Sequence, residues 1–526
     1  MTSFSLILSS AYVDPELAIE FGYIPPSFLP MGVSRLYETQ IDSLKSLGDV
    51  YLTLPEDFTV PHYDMQRLRQ LGATIVRVPS HLSLGNAIIY ALNYIDASAS
   101  TLHLLHGDTL VDGLDISQSD SIAVQAEGDD YAWASVTVQE DHTVTSVQTI
   151  QLEADIPQSQ PIMCGYFSFS KPRHLVRTLT RAGGNFVQGL SLYAQEHTVR
   201  AVYPQTWYDF GHLQTYFRSR RAVTTQRAFN SLYIDDRIVR KSSDDHAKMR
   251  DEAAWLNNVP ADIKPFTARL LDHSAGSYTI EYEYAPTLSE LFVFSSIGKA
   301  TWQSILTSCF DFLSLCGTQN TPDIKGNEIL RLLTTDKTYD RLAHYEAATG
   351  FDVNQPLNLN GKSLPSLKQI SDEMIANIDL SSNKNASVMH GDFCLSNILY
   401  NSRARRICVI DPRGYIPGSG SSIFGDIRYD LAKLWHSLGG LYDLIIAGHY
   451  QFEGKTPYDF NLSFPSGPHH NWVQEDFLQR LPAETNKLEI QSLTVLLFVS
   501  MLPLHADRPD RQKAFIANAA RLYQCI

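Results

Sequence analysis

Between His390 and Asp411 the chain reads V-M-H-G-D-F-C-L-S-N-I-L-Y and then V-I-D-P-R-G. Moving a phosphoryl group onto an alcohol needs a carboxylate beside the hydroxyl, oxygen ligands for magnesium and cations on the phosphates. Asp392 has the type and place for the first role. Asn397, five positions on, offers an amide oxygen to a metal ion. Asp411 follows the apolar run 407–410 and offers a carboxylate to the magnesium that would bridge the nucleotide phosphates.

These groups need a scaffold. Residues 227–233, 237–241, 267–272 and 277–284 read as antiparallel strands, with an amphipathic segment at 246–256 among them. From residue 288 the pattern is mainly helical, interrupted by a hairpin-like stretch at 388–410. Residues 322–382, rich in Asp, Asn, Thr and Ser, read as an insertion or mobile loop. A small β lobe with one helix, then a larger helical lobe, is a kinase-like layout. Lys241 closes one of the strands and Glu252 lies on the helix, where a phosphate-binding lysine and its orienting glutamate belong. Taken singly, His-Gly-Asp is equally a tight turn with a capping Asp, and Lys241 with Glu252 an ordinary surface pair. The order and spacing of the whole set favour the catalytic alternative.

The spacing H-x-D-x-x-x-x-N, followed by a strand and an Asp, matches the protein-kinase catalytic loop and its metal-binding Asp. With Gly391 after the His and Pro-Arg-Gly after the Asp, the stretch resembles the aminoglycoside phosphotransferase and choline kinase family instead. Gly425-Asp426 to Tyr429-Asp430-Leu431-Ala432 resembles the same family, and implies that Asp430 supports the catalytic loop. The stretch I-E-Y-E-Y-A-P-T-L at 280–288 resembles its hinge, which implies Glu283 and Tyr284 beside the adenine. The loop 225–230 would cover the phosphates, although it lacks a glycine-rich pattern. The resemblance implies transfer from ATP, with Mg2+, to a hydroxyl of a sugar, alcohol or amino alcohol. The acceptor pocket is expected in the helical lobe near Asp392. Trp435, His436 and His505 fall there by position, each also readable as a packed core residue.

Residues 1–217 differ. Strand-like runs at 5–8, 50–53, 73–78, 101–105 and 121–125 alternate with helical spacing at 35–47, 63–71 and 84–95. That alternation predicts a mostly parallel α/β sheet with helices on both faces. Phe28-Leu29-Pro30-Met31-Gly32, Leu84-Gly85-Asn86-Ala87, Leu104-Leu105-His106-Gly107-Asp108, Cys164-Gly165-Tyr166-Phe167-Ser168-Phe169 and Trp207-Tyr208-Asp209-Phe210-Gly211 resemble the sugar-phosphate nucleotidyltransferases. The resemblance implies that Asp108 and Asp209 bind a magnesium between nucleotide and phosphate, with CTP or another nucleoside triphosphate as donor. Where that family has a glycine-rich basic loop, this chain has Ser9-Ser10-Ala11-Tyr12-Val13-Asp14-Pro15-Glu16. Pro25-Pro26-Ser27 stands where a lysine is expected, and no Glu-Lys-Pro element precedes Cys164.

The fold expected is therefore α/β. A Rossmann-like, GT-A-like nucleotidyltransferase domain spans 1–218, followed by a two-lobed kinase-like α+β domain over 219–526, its N-lobe 219–287 and C-lobe 288–526. A chain of 526 residues is long enough for two cores. Its net charge of -15 argues against a general nucleic-acid binder, and Arg218, Arg220 and Arg221 read as a solvated linker surface. Six cysteines without metal spacing favour a reducing compartment. No basic region precedes the first apolar run and no segment is long enough for a bilayer; 493–504 reads as a buried helix. A cytoplasmic enzyme acting on a small molecule fits, with oligomeric state left open. The leading expectation is a bifunctional kinase and nucleotidyltransferase that activates a small alcohol for capsule or other surface polysaccharide. The alternatives are a kinase with an inert substrate-binding N-terminal domain, and a nucleotide-binding pseudokinase.

Overall fold

The computed structural model describes residues 3–95, 101–114, 119–126, 134–149, 160–223, 231–381, 385–465 and 468–526. The chain divides into two compact units, Met1–Val223 and Thr224–Ile526.

In the first unit the strand Ser3–Leu8 runs parallel to Asp49–Pro55 on one side and to Thr101–His106 on the other. Asp49–Pro55 in turn pairs in parallel with Ala73–Val78. Parallel neighbours need crossover segments; the helices Leu36–Leu44, His62–Gln70 and Leu84–Ile95 lie in these connections. The chain builds outward from Ser3–Leu8, then returns to its other flank at Thr101–His106, so the strand order reverses between these two. Beyond the carboxyl ends of such a pair lies the ligand crevice of an open α/β sheet. The register Leu8↔His106 and the 2.9 Å bond from Gly107 N to Leu8 O set Asp108 at that crevice.

The sheet is not mostly parallel, as its sequence predicts. Ile162–Phe169 inserts antiparallel to both Thr101–His106 and Ser121–Gln125, and Ala134–Val138 pairs antiparallel with Val144–Thr149. The half before residue 107 is parallel and the half after it mixed. All eight residues of Ile162–Phe169 are buried, and apolarity on both faces marks a central strand without giving its direction. Arg218, Arg220 and Arg221 lie on the helix Leu213–Val223 rather than on a linker, and the expected boundary at 218/219 falls inside that helix.

The second unit opens with an antiparallel sheet in the order Ser231–Ile234, Ile238–Ser242, Ser277–Glu281, Leu270–His273. The remainder of the strand expected from 227, and the expected phosphate-covering loop 225–230, lie outside the described residues. The helix His246–Asn258 follows the second strand, its N-terminus capped by Asp245, which accepts from Lys248 N at 3.1 Å. Its buried positions include Met249, Glu252, Ala253 and Leu256, an i, i+3, i+4 stripe with a carboxylate in it.

Residues 322–382 are not a loop. Helices Gly326–Arg331, Lys337–Thr349 and Leu367–Ala376, the helical turn Leu332–Asp336 and a hairpin of Pro356–Leu359 and Lys362–Ser366 occupy most of it. Leu330, Leu333, Leu342 and Tyr345 are buried, with Thr338 and Ser371 among them, so a composition that suggests a loop belongs to helices packed on one side. That hairpin joins Asp459–Ser463 and Gln451–Thr456 in a four-stranded sheet that the sequence does not announce. Residues 493–504 lie in the buried helix Lys487–Ser500 and the turn Leu502–His505. Among the described residues no helix is long and apolar enough to cross a membrane.

Gly414 shows where backbone approach is closest. It takes φ +73°, and a Cβ there would collide with the Asp251 carbonyl on the helix His246–Asn258. Gly414→Ala adds left-handed strain to a backbone clash, so a loss of about 2–4 kcal/mol is expected in urea unfolding. A shift below about 0.5 kcal/mol would show that the two segments are not packed in this way.

Candidate functional site

The antiparallel register places Lys241 directly beside Tyr278. The Lys241 ammonium, 5% exposed, lies 2.7 Å from Glu252 Oε2 and 3.0 Å from Asp411 Oδ1. Tyr278 donates to the same Glu252 oxygen at 2.8 Å. Burial works against the lysine's charge, but Asp411 and Glu252 outweigh it and hold the ammonium above its ordinary value. A buried cation between two carboxylates stands ready to exchange one of them for a phosphate.

Asp411 reaches this pair through a hairpin. Ile398–Asn401 pairs with Arg406–Val409 in the register Ile398↔Val409, and Ile410 N donates to Asn397 O at 3.0 Å. The hairpin therefore sets Asn397 beside the Ile410–Asp411 step, where Asp411 takes φ +56°. Asn397 Nδ2 donates to the backbone oxygen of Asp392 at 3.0 Å and to its Oδ2 at 3.1 Å. With the amide nitrogen so fixed, the amide oxygen points the other way. An amide oxygen and a carboxylate on adjoining strand ends form an all-oxygen donor set, which fits magnesium better than a soft metal.

The backbone of the turn at 390–391 hangs on one buried carboxylate. Asp430, fully buried, accepts from His390 N at 2.7 Å and from Gly391 N at 2.8 Å. Burial, stronger than these two bonds, pushes its carboxyl up to about 7. Burial also lowers His390 to about 4, so its ring is neutral. Nε2 then donates to Ile410 O at 3.0 Å while Nδ1 accepts from Asp392 N at 3.3 Å. One imidazole thus spans the Asp392 loop and the Asp411 strand. Residues 217–459 match the phosphotransferase enzyme family. Among curated proteins, none matches the chain.

Within this matched segment, several groups beside Asp392 escape the sequence patterns. Lys433 lies 2.8 Å from Asp392 Oδ1. Burial disfavours the ionised Asp392, but the Lys433 charge and hydrogen bond, with Arg413 behind them, hold it well below the ordinary carboxylate range. A signal existed: Lys433 sits in a helix, Ile427–Leu438, whose residues 429–438 are all buried, and a lysine there demands an anion. Arg413 donates to Gly391 O at 3.1 Å and to the Tyr429 hydroxyl at 3.2 Å. Lys337 approaches the same hydroxyl at 3.5 Å.

Other expected positions lie apart from these contacts. Glu283 and Tyr284 fall on the link between Ser277–Glu281 and the helix Leu288–Phe294; the Tyr284 hydroxyl donates to Asp236 O at 2.6 Å. Trp435 stacks on Phe477 and His436 packs against Phe498 and Tyr442, as core residues do.

In the N-terminal unit Asp108 and Asp209 converge. Thr206–Asp209 pairs with Thr109–Asp112, with Asp209 opposite Thr109, and Phe210 N donates to Asp108 O at 2.8 Å. Burial, then the neighbouring Asp108 charge, pushes Asp209 up to about 7. Such a pair holds its charge poorly unless a cation joins it. The segment after the first strand is built differently from a phosphate cradle. Asp14 caps the helix Pro15–Phe21, accepting from Leu17 N at 2.8 Å, and pairs with His212 Nδ1 at 3.2 Å. A carboxylate thus occupies the Leu17 N–H at the helix start and sets negative charge where a triphosphate cradle would be positive.

Solved structures with similarity to the N-terminal segment include CTP:phosphocholine cytidylyltransferase from Streptococcus pneumoniae, at 12% identity and TM-score 0.34, covering 43% of this chain and 100% of that one. The inositol-1-phosphate CTP transferase from T. maritima gives 14% identity and TM-score 0.32, over 41% and 91%. A UDP-glucose pyrophosphorylase with UDP-glucose gives 15% and 0.34, over 42% and 98%.

Proposed function

We propose that the C-terminal unit is an ATP- and magnesium-dependent kinase for a hydroxyl on a small molecule. The observation that carries it is the convergence of Lys241, Glu252 and Asp411 beside a hairpin that also holds Asn397 against Asp392. Asn397 and Asp411 would hold the magnesium, which neutralises charge on the nucleotide phosphates. Lys241, oriented by Glu252, would hold the phosphates, and the link through Glu283 and Tyr284 would meet the adenine. Asp392 stays ionised at neutral pH and accepts a hydrogen bond from the acceptor hydroxyl. The hydroxyl oxygen forms a bond to the γ-phosphorus, the bond from that phosphorus to the bridging oxygen breaks, and ADP leaves. The hydroxyl proton passes to Asp392 and then to solvent. With its basicity depressed by Lys433, Asp392 does more to aim the hydroxyl than to pull its proton.

The paired Asp108 and Asp209 favour a second activity, a metal-assisted coupling of the phosphorylated product to a nucleotide. The Asp14 cap argues that any triphosphate there is held differently from the resembling family. Full-length protein with ATP, CTP and candidate alcohols is expected to release ADP first and pyrophosphate second, read by coupled assays for each. ADP without pyrophosphate from any nucleoside triphosphate would reduce the N-terminal unit to a binding module. Nucleotide-dependent thermal stabilisation with no ADP from any acceptor would make the C-terminal unit a pseudokinase.

A further inference from the structure

Beside Asp392 the chain gathers more positive charge than its own carboxylates answer. Tyr429 and Lys433 lie four residues apart on one face of the helix Ile427–Leu438. Lys433 is spent on Asp392. The Tyr429 hydroxyl accepts from Arg413 at 3.2 Å and faces Lys337 at 3.5 Å. Among the described residues neither Lys337 nor Arg413 has a carboxylate within 4 Å, while Asp430, whose charge also acts on Arg413, is committed to two backbone N–H groups. Three cations from three separate segments thus stand against one carboxylate, in a chain whose net charge is -15.

Two other cations of the unit are matched: Lys241 has two carboxylates and Arg428 has Asp426 and Glu489. Burial, with Arg413 and Lys433 adding repulsion against the pull of Tyr429, lowers Lys337 to about 8, while at Tyr429 burial is outweighed by Lys337, Arg413 and Lys433 together, which lower its hydroxyl to about 8; both shifts are those of a site with more positive charge than carboxylate. We propose that the phosphoryl acceptor carries its own anionic group, a carboxylate or a phosphate on a small alcohol, seated against Lys337, Arg413 and the Tyr429 hydroxyl while its free hydroxyl faces Asp392. This rests on the kinase reading for the position of the hydroxyl, but the anion site is defined by the cations alone. A cationic acceptor such as an amino alcohol would be repelled from it.

Full-length protein with Mg-ATP is assayed on glycerate, glycerol 3-phosphate, glycerol and choline, together with the Lys337→Met variant. At least one anionic probe is expected to exceed glycerol and choline in kcat/KM by about 100-fold. Lys337→Met is expected to raise the KM for that probe by about 10-fold or more, the loss typical of a desolvated charge partner, with Lys337→Arg recovering much of it. Glycerol or choline matching the anions would overturn the inference. So would a Lys337→Met effect on the KM for ATP alone, since the cations would then serve the nucleotide phosphates. If no probe turns over, calorimetry of the same four in the presence of a non-hydrolysable ATP analogue decides. Anion-selective binding lost in Lys337→Met would uphold the site and count against the kinase reading, whereas binding without preference for anions, or none, would overturn the site itself.

Discussion

Replacing Asp392 with Asn is expected to lower kcat by about a thousand-fold while leaving ATP binding close to wild type. Positioned carboxylates that receive a reacting proton contribute typically 10²–10⁴-fold, and here the same carboxylate is also what Asn397 and Lys433 hold in place. An amide at this position can still accept from Lys433, which keeps the fold intact, but it can no longer take a proton. Single-turnover ADP formation separates the chemical step from product release, and thermal stabilisation by ATP reports on the nucleotide site. A loss of less than ten-fold would mean that Asp392 is not the group that meets the hydroxyl.

The second large effect is on stability. Asp430→Ala strands the N–H groups of His390 and Gly391 in a fully buried site. At about 1–3 kcal/mol for each orphaned donor, the variant should lose about 2–5 kcal/mol in denaturant unfolding, with activity falling alongside as the loop relaxes. Asp430 also leaves a pH signature. Its carboxyl is raised to about 7 in the folded chain, against about 4 when unfolded. Between those values the unfolded chain has already released the proton that the folded chain keeps. The Asp430 contribution to stability is therefore fully present below about pH 4 and declines as pH rises toward 7. Asp430→Asn should remove about one proton's worth of slope from the difference between the two stability profiles in that window. Parallel profiles for wild type and variant would contradict the assignment.

How much of this was legible depends on whether a residue breaks the pattern of its own element. Glu252 could be picked out because it is a carboxylate inside a buried helical stripe, and Lys241 because it closes a strand at the right remove. Lys433 stands between Ala432 and Leu434 in a helix that also carries Arg428, Asp430 and His436, so its signal was weaker. Lys337 could not be picked out, since L-L-T-T-D-K-T-Y-D looks like an ordinary solvated run; only the packing of its helix turns it inward. Arg413 was visible as part of D-P-R-G, but its bonds to Gly391 O and Tyr429 come from tertiary approach. Strand direction was hidden for a similar reason. The residues of Ile162–Phe169 say that both faces are covered, and nothing in them says which way the chain runs. The Asp108 and Asp209 pairing was implied by the resemblance alone, whereas the Asp14 cap needed the fold to bring His212 alongside.

The helix bearing Glu252 is moored to the catalytic segment. The Trp255 indole N–H donates to Met389 O at 2.8 Å, the Ser421 hydroxyl donates to Asp251, and Gly414 abuts the Asp251 carbonyl. Swinging that helix outward would strip a buried indole of its acceptor and open a seam along a packed glycine. On the kinase reading, the Lys241–Glu252 clamp is consequently assembled before any substrate arrives, and displacing the helix would have to break these three moorings together.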